Sequence, residues 1–141
     1  IENLSYAAPL FKQSGTKLLI EPINTFDQPG FFISNSTDGA KVVSDVSDDN
    51  FGLQYDVYHM QLMEGNIMNN IKKHIDIIGH FQIADVPGRL EPGKGEIGYS
   101  NIFNFIDDLG YEGFIGAEYK PEKNTEEGLE WIKQYAGLEI A

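Results

Sequence analysis

Four short apolar segments constrain the fold of this chain more than any other feature of its sequence. They recur at intervals of roughly 25 to 35 residues, the length of a strand, loop and helix unit, and each is followed by a stretch with helical periodicity. Because strands that alternate with helices assemble into a parallel sheet covered by helices, the pattern predicts an α/β fold. The four segments are KLLIEPI (17–23), FGLQYDV (51–57), IIGHFQIAD (77–85) and FIGAEY (114–119).

The stretches outside these segments are typical of amphipathic helices. Ser36 is the candidate N-cap of the second helix, and His74, near the end of the third, is interpreted as a surface residue. No low-complexity tract or long linker divides the chain, so residues 1–141 are expected to form one domain. The expected helices span residues 3–14, 36–46, 65–74, 99–109 and 125–135.

Charge and composition argue against several classes of protein. The chain has 10 basic and 22 acidic residues, a formal net charge of −12, and Arg89 as its only arginine, so no nucleic-acid partner is expected. No segment approaches the roughly 18 apolar residues that a membrane helix needs, so no membrane partner is expected either. The absence of cysteine excludes disulfides and thiolate metal sites and fits a reducing compartment, so the expected location is the cytoplasm.

Oxygen-bearing side chains lie close to the carboxyl end of each apolar segment. Parallel strands place their carboxyl ends at one edge of a sheet, which is where α/β proteins build active sites. An acidic residue at any single strand end is explained equally well by exposure to solvent. Four such ends together favour a site for a hard divalent cation, Mg²⁺ or Mn²⁺. The four residues are Glu21, Asp56, Gln82 and Glu118.

Three further polar residues are candidates for binding a substrate. His59 follows Asp56 by three positions and is interpreted either as a donor to a substrate oxygen or as a structural hydrogen-bonding residue. Arg89 lies in a loop rich in glycine and proline, where it either pairs with a substrate carboxylate or is solvated. Lys120 either attracts an anion or is an ordinary exposed lysine. His80 is expected to be buried behind the site.

Five ordered segments resemble the hydroxypyruvate isomerase family, within the xylose-isomerase-like (β/α)8 barrels. The segments are LLIEPIN, LQYDVYHMQ, HFQIAD, PGRLEPGKGEI and FIGAEYKP, and the resemblance runs from about Leu18 to Trp131. It implies a TIM barrel of which this chain comprises roughly strands five to eight with their helices, the C-terminal half. Strand edges that half a barrel leaves unpaired favour a partner, so a homo-oligomer is one expectation.

The resemblance also implies an enzymatic activity and roles for individual residues. The implied reaction is an isomerisation of the aldose–ketose type that interconverts hydroxypyruvate and 2-hydroxy-3-oxopropanoate (tartronate semialdehyde). Glu21 and Glu118 are implied to transfer the protons. The implied ligands of the divalent metal are Glu21, Asp56, Gln82 and Glu118, and the expected substrate contacts are His59 and Arg89, with Lys120 added because of its position.

Other functions stay open at this point. A 2-oxo-tetronate isomerase or a ketose 3-epimerase of the same superfamily would use the same residues, and the substrate would be selected by the other half of the barrel. An endonuclease of the superfamily is disfavoured by the net charge of −12 and by the presence of only three histidines. A catalytically inactive half-barrel is the alternative from a different class.

Overall fold

A computed structural model describes residues 1–135, so residues 136–141 of the expected domain lie outside the described part. The described residues contain a parallel sheet in which neighbouring strands follow the order β1-β2-β3-β4. This arrangement confirms the predicted α/β class. The strands are β1 (Leu18–Ile20), β2 (Phe51–Asp56), β3 (Ile78–Ile83) and β4 (Ile115–Ala117).

Four helices occur where the periodicity predicted them, the last one begins at Glu130 and not at residue 125, and one helix is an addition. Helix α2 begins at Ser36 as expected, but the prediction that Ser36 is its N-cap is wrong: the cap is Asn35, whose side chain accepts the Asp38 N–H. The helices are α1 (Glu2–Gln13), α2 (Ser36–Val46), α3 (Val57–Met63), α4 (Ile67–His74), α5 (Tyr99–Asp108) and α6 (Glu130–Tyr135), with 3₁₀ turns at Ile75–Ile77 and Glu127–Leu129.

Helix α3 is the addition, and it begins directly where β2 ends. The Asp56 side chain is its N-cap and accepts the Tyr58 N–H at 2.8 Å. Such a cap satisfies an N–H group that has no partner inside the helix. Because no loop separates strand from helix, no turn signal marks the boundary in the sequence. The junction places the first turn of α3 at the carboxyl edge of the sheet.

The register of the sheet aligns the carboxyl ends of its strands. Asp56 on β2 pairs with Gln82 on β3, and Gln82 pairs with Gly116 on β4. Glu21 and Glu118 directly follow β1 and β4. Residues from all four strands that were predicted to bind a cation therefore lie along one edge.

Large side chains of β2 and β3 form the core beneath the helices. Tyr55 and Phe81 are fully buried and pack edge to face with their ring centroids 5.9 Å apart. The prediction that His74 is a surface residue is wrong, since only 7% of it is exposed. Helix α4 contacts α2, α3 and α5, and His74 lies with Ile67 and Ile71 on its buried face.

Among the described residues, the helices are too short or too polar to cross a lipid bilayer.

Candidate active site

Three polar side chains meet at the carboxyl ends of β1 and β2. Glu21 follows β1, Asp56 ends β2, and His59 lies in the first turn of α3. One potential ligand atom of each lies within 4.8 Å of those of the other two. The direct junction of β2 with α3 brings His59 over Asp56, because residues three positions apart share a helix face. We call these three residues the carboxylate–histidine cluster.

Burial disfavours ionisation of both carboxyl groups in this cluster. Only 22% of the Glu21 side chain and 1% of the Asp56 side chain are exposed. Burial raises the pKa of Glu21 to about 7, and repulsion from Asp56 and Glu118 adds to the increase. Burial also raises the pKa of Asp56 to about 6, although the hydrogen bond from the Tyr58 N–H opposes this increase. Both groups therefore exchange protons close to neutral pH.

One oxygen of each carboxyl group has no hydrogen-bond donor among the described residues. These atoms are Glu21 Oε1 and Asp56 Oδ2, and both are buried. A buried carboxylate oxygen without a donor is costly unless a proton or a cation satisfies it. The two oxygens thus indicate where a positive charge would bind.

His59 contacts both carboxyl groups through one ring nitrogen. Its Nε2 lies 3.5 Å from Asp56 Oδ2 and 3.8 Å from Glu21 Oε1. Burial, assisted by repulsion from Arg89, lowers the pKa of His59 to about 4. The ring is therefore neutral near pH 7, and these are contacts of a neutral imidazole, not ion pairs.

Asn24 and Asp27 lie on the other side of the His59 ring. Asn24 Nδ2 is 2.6 Å from His59 Nδ1 and 3.0 Å from Asp27 Oδ2, which also accepts the Tyr58 hydroxyl at 2.8 Å. These hydrogen bonds lower the pKa of Asp27. None of the three partners in this network was predicted from the sequence. An asparagine followed three residues later by an aspartate is a turn signal, and Asn24 Oδ1 does accept the Asp27 N–H.

Arg89 connects Glu118 to the cluster. Its Nη2 donates to Glu118 Oε2 at 2.7 Å and lies 3.5 Å from Asp56 Oδ2. Its guanidinium carbon is 5.2 Å from the centre of the Tyr58 ring, within the range of a cation–π contact. The structure therefore brings Arg89 together with two of the predicted metal ligands. Glu118 itself is more open to solvent than Glu21, with 53% of its side chain exposed.

The loop that carries Arg89 is folded around one buried carboxylate. Asp85 Oδ1 accepts the N–H groups of Val86 at 2.9 Å and Ile97 at 3.1 Å, and Oδ2 accepts that of Gly93 at 2.8 Å. Asp85 is fully buried. A buried carboxylate with three backbone donors fixes the backbone that supplies them. The sequence identified this loop by its glycines and prolines but did not single out Asp85.

The remaining predicted residues lie at or near the same edge. Gln82 accepts a 2.6 Å hydrogen bond from Gln54, the residue two positions before Asp56. Lys120 is exposed, and its backbone N–H donates to the Arg89 carbonyl at 2.7 Å. The prediction that His80 is buried is wrong, since it is half-buried. Gln54 and Gln82, on the same side of the sheet, are also half-buried.

The donor atoms at this edge suit a hard divalent cation. The two carboxylate oxygens without donors are the strongest observation, and an amide oxygen from Gln82 and a second glutamate from β4 lie along the same edge. Mg²⁺ and Mn²⁺ prefer oxygen ligands of this kind. The residues present therefore fit the predicted metal class.

Comparison with known proteins shows the family to which this chain belongs. The family described as "Xylose isomerase-like TIM barrel" matches residues 1–135. The hydroxypyruvate isomerase of Escherichia coli K12 is 48% identical over 135 residues, which cover 96% of this chain and 52% of that protein. A 2-oxo-tetronate isomerase of Cupriavidus necator is 45% identical over 137 residues, covering 97% of this chain and 53% of that protein.

Solved structures share the fold of this chain. A Brucella melitensis protein described as an AP endonuclease of family 2 superposes with a TM-score of 0.91 at 40% identity, covering 95% of this chain and 52% of that one. A D-psicose 3-epimerase of Clostridium cellulolyticum H10 superposes with a TM-score of 0.76 at 25% identity, over 84% of this chain and 40% of that one. The chain spans about half the length of the curated relatives that it matches.

Proposed function

Because the chain belongs to the xylose isomerase-like TIM-barrel family, we propose that it forms strands five to eight of a hydroxypyruvate isomerase. The reaction would interconvert hydroxypyruvate and 2-hydroxy-3-oxopropanoate. The observation that carries the proposal is the buried pair of Glu21 and Asp56 beside His59, at the edge where this class of fold builds active sites. The 48% identity to a hydroxypyruvate isomerase supports the choice of substrate.

The proposed chemistry moves protons between two neighbouring carbons. One proton leaves the hydroxymethyl carbon, one reaches the carbonyl carbon, and a hydroxyl proton passes between the two oxygens. Glu21 and Glu118 follow the two outermost strands of the sheet, so they would act from different sides of the substrate. A pKa of about 7 allows Glu21 to accept and return a proton near neutral pH.

A divalent cation, Mg²⁺ or Mn²⁺, would supply positive charge that stabilises the enediolate formed between these proton transfers. Glu21, Asp56, Gln82 and Glu118 would hold it. The unpartnered oxygens of Glu21 and Asp56 support this assignment most directly. Gln82 would have to exchange its hydrogen bond with Gln54 for the cation.

Binding of the substrate is proposed for His59, Arg89 and Lys120. His59 would donate a hydrogen bond to a substrate oxygen, and Arg89 would pair with the substrate carboxylate through the fork of its guanidinium. Lys120 would contribute to attracting the anion.

A reducing cytoplasmic location is supported by the absence of cysteine. Among the described residues β1 and β4 each pair on one side only, which supports association with further strands.

A 2-oxo-tetronate isomerase is the second candidate. The 45% identity to such an enzyme favours it almost as strongly. An endonuclease activity, suggested by the description of the Brucella structure, is opposed by the net charge of −12 and the single arginine, because a phosphate backbone requires basic residues.

A chimaeric enzyme tests the proposal. The chain would be joined to the N-terminal half of the E. coli hydroxypyruvate isomerase and assayed with hydroxypyruvate, a 2-oxo-tetronate and free ketoses, after chelation and after addition of Mn²⁺. We expect Mn²⁺-dependent isomerisation that Glu118→Gln abolishes and the exposed Glu112→Gln preserves. Equal turnover after complete removal of metal would refute the role of the cation. The chain alone, assayed in parallel, tests the inactive half-barrel.

A further inference from the structure

The hydrogen bonds around Asn24 determine which way its side-chain amide points. Its Oδ1 accepts the N–H groups of Phe26 at 3.0 Å and Asp27 at 2.8 Å. Both are backbone donors, so the atom that receives them must be the carbonyl oxygen. On the opposite side, the amide nitrogen donates to Asp27 Oδ2 at 3.0 Å. If the amide were reversed, its NH₂ group would meet two N–H donors and its oxygen would meet a carboxylate.

The fixed amide in turn determines the role of His59 Nδ1. The Asn24 amide nitrogen lies 2.6 Å from Nδ1, and the backbone N–H of Asn24 also donates to Nδ1, at 3.4 Å. Two donors therefore converge on one ring nitrogen. In a neutral imidazole one nitrogen carries the hydrogen and the other accepts, so Nδ1 must be the acceptor and Nε2 must carry the hydrogen.

We propose that Asn24 is a positioning residue that holds His59 as the Nε2–H tautomer and thereby makes it a hydrogen-bond donor at the active site. Asn24 is fully buried and His59 is 2% exposed, so water does not compete for Nδ1. Asn24 itself does not face the carboxylate pair. It acts through the histidine, as partners on the far side of a functional histidine commonly do.

This tautomer determines which atoms of the carboxylate–histidine cluster can bind a metal. His59 Nε2, the nitrogen that carries the hydrogen, lies 3.5 Å from Asp56 Oδ2 and 3.8 Å from Glu21 Oε1. A nitrogen that carries a hydrogen has no lone pair for a metal. His59 is therefore not a ligand of the metal, although its position relative to Glu21 and Asp56 would suit a metal ligand. The cation would rest on oxygen ligands alone, and His59 would donate to a substrate oxygen. The cation and this last role rest on the proposed function, whereas the tautomer does not.

Nitrogen-15 NMR of the imidazole rings tests the tautomer without any substrate or metal. The metal-free protein is labelled at histidine, and the His59 signals are assigned by their loss in His59→Gln. We expect a protonated Nε2 and an unprotonated Nδ1. In Asn24→Asp the new carboxylate should require a hydrogen on Nδ1. In Asn24→Ala the signals should move toward those of an exposed imidazole that exchanges between its two tautomers. Asn50→Ala removes another set of side-chain amide hydrogen bonds, to the carbonyls of Ala8 and Thr16, and should leave the His59 signals unchanged.

Three results would overturn the proposal: a hydrogen on Nδ1 in the wild-type protein, unchanged His59 signals in Asn24→Ala, or an Nδ1 that stays unprotonated in Asn24→Asp. If the alanine variant fails to fold, the wild-type and aspartate spectra decide. Because the measurement needs neither turnover nor cation, it fails or succeeds independently of the isomerase proposal.

Discussion

The affinity of the Glu21–Asp56 pair for a divalent cation should fall steeply when the pH is lowered from 8 to 6. Burial raises the pKa of Glu21 to about 7 and that of Asp56 to about 6. A cation binds the ionised carboxylates, so at lower pH it must first displace protons. His59, with its pKa lowered to about 4, stays neutral across this range and does not contribute to the change.

The size of the effect follows from these values. Competition by a proton weakens the apparent affinity by the factor 1 + 10^(pKa − pH), which for Glu21 is about 11 at pH 6 and about 1.1 at pH 8. Asp56 contributes a further factor of about two. The combined loss is about 20-fold, or about 1.8 kcal/mol. A glutamate with an ordinary pKa would produce almost no change over the same interval.

Isothermal titration with Mn²⁺ at several pH values measures this directly. Repeating each titration in two buffers of different ionisation enthalpy counts the protons released. In Glu21→Gln the affinity should be weaker at every pH, but its fall between pH 8 and 6 should shrink to about twofold, because only Asp56 still binds a proton. Glu112→Gln, which changes an exposed carboxylate, should behave like the wild type.

An affinity that differs by less than twofold between pH 8 and 6 would refute the argument from burial. An undiminished fall in Glu21→Gln would show that the displaced proton comes from a different group.

Three substitutions test other parts of the structure. Arg89→Lys removes the guanidinium that bridges Glu118 and Asp56; in the chimaera it should raise KM for hydroxypyruvate about tenfold or more with a smaller effect on kcat, measured by steady-state kinetics. Tyr55→Phe removes a buried hydroxyl that has no partner among the described residues, so thermal denaturation should show equal or greater stability, by up to about 1 kcal/mol. Gly95→Ala would place a methyl group against the Val86 carbonyl and should destabilise the protein by about 1–3 kcal/mol in urea unfolding.

The order of strands and helices was predictable because it depends on apolar periodicity within single segments. The four strands and most of the helices lie within a few residues of the positions that periodicity indicates. The position of the candidate site was also predictable, since parallel strands align their carboxyl ends regardless of loop structure. That rule alone brings Glu21 and Asp56 together.

The details of the site depended on features that periodicity does not record. Helix α3 has no preceding loop, so nothing in the sequence separated it from β2. Asn24 lies in a turn whose conformation comes from its own side chain, and Asp85 is surrounded by backbone donors from residues up to 12 positions away. His74 is buried because it shares with Ile67 and Ile71 the face of α4 that packs against the rest of the protein. The surroundings of Asp85 follow from contacts distant in sequence, whereas the β2–α3 junction and the Asn24 turn are local conformations that apolar periodicity does not record.

The Asp85-centred loop has a consequence for how a ligand would be recognised at Arg89. Its three backbone hydrogen bonds are formed when the chain folds, so the loop is already ordered before any ligand arrives. Little conformational entropy then remains to be lost on binding, and no ligand is favoured for its ability to organise this segment. Differences in affinity among related acids should consequently reflect direct contacts with Arg89 and its neighbours. If the hydrogen bonds of Asp85 were removed, affinity would depend on ligand size. Larger ligands form more contacts, which would better offset the conformational entropy lost when the loop becomes ordered.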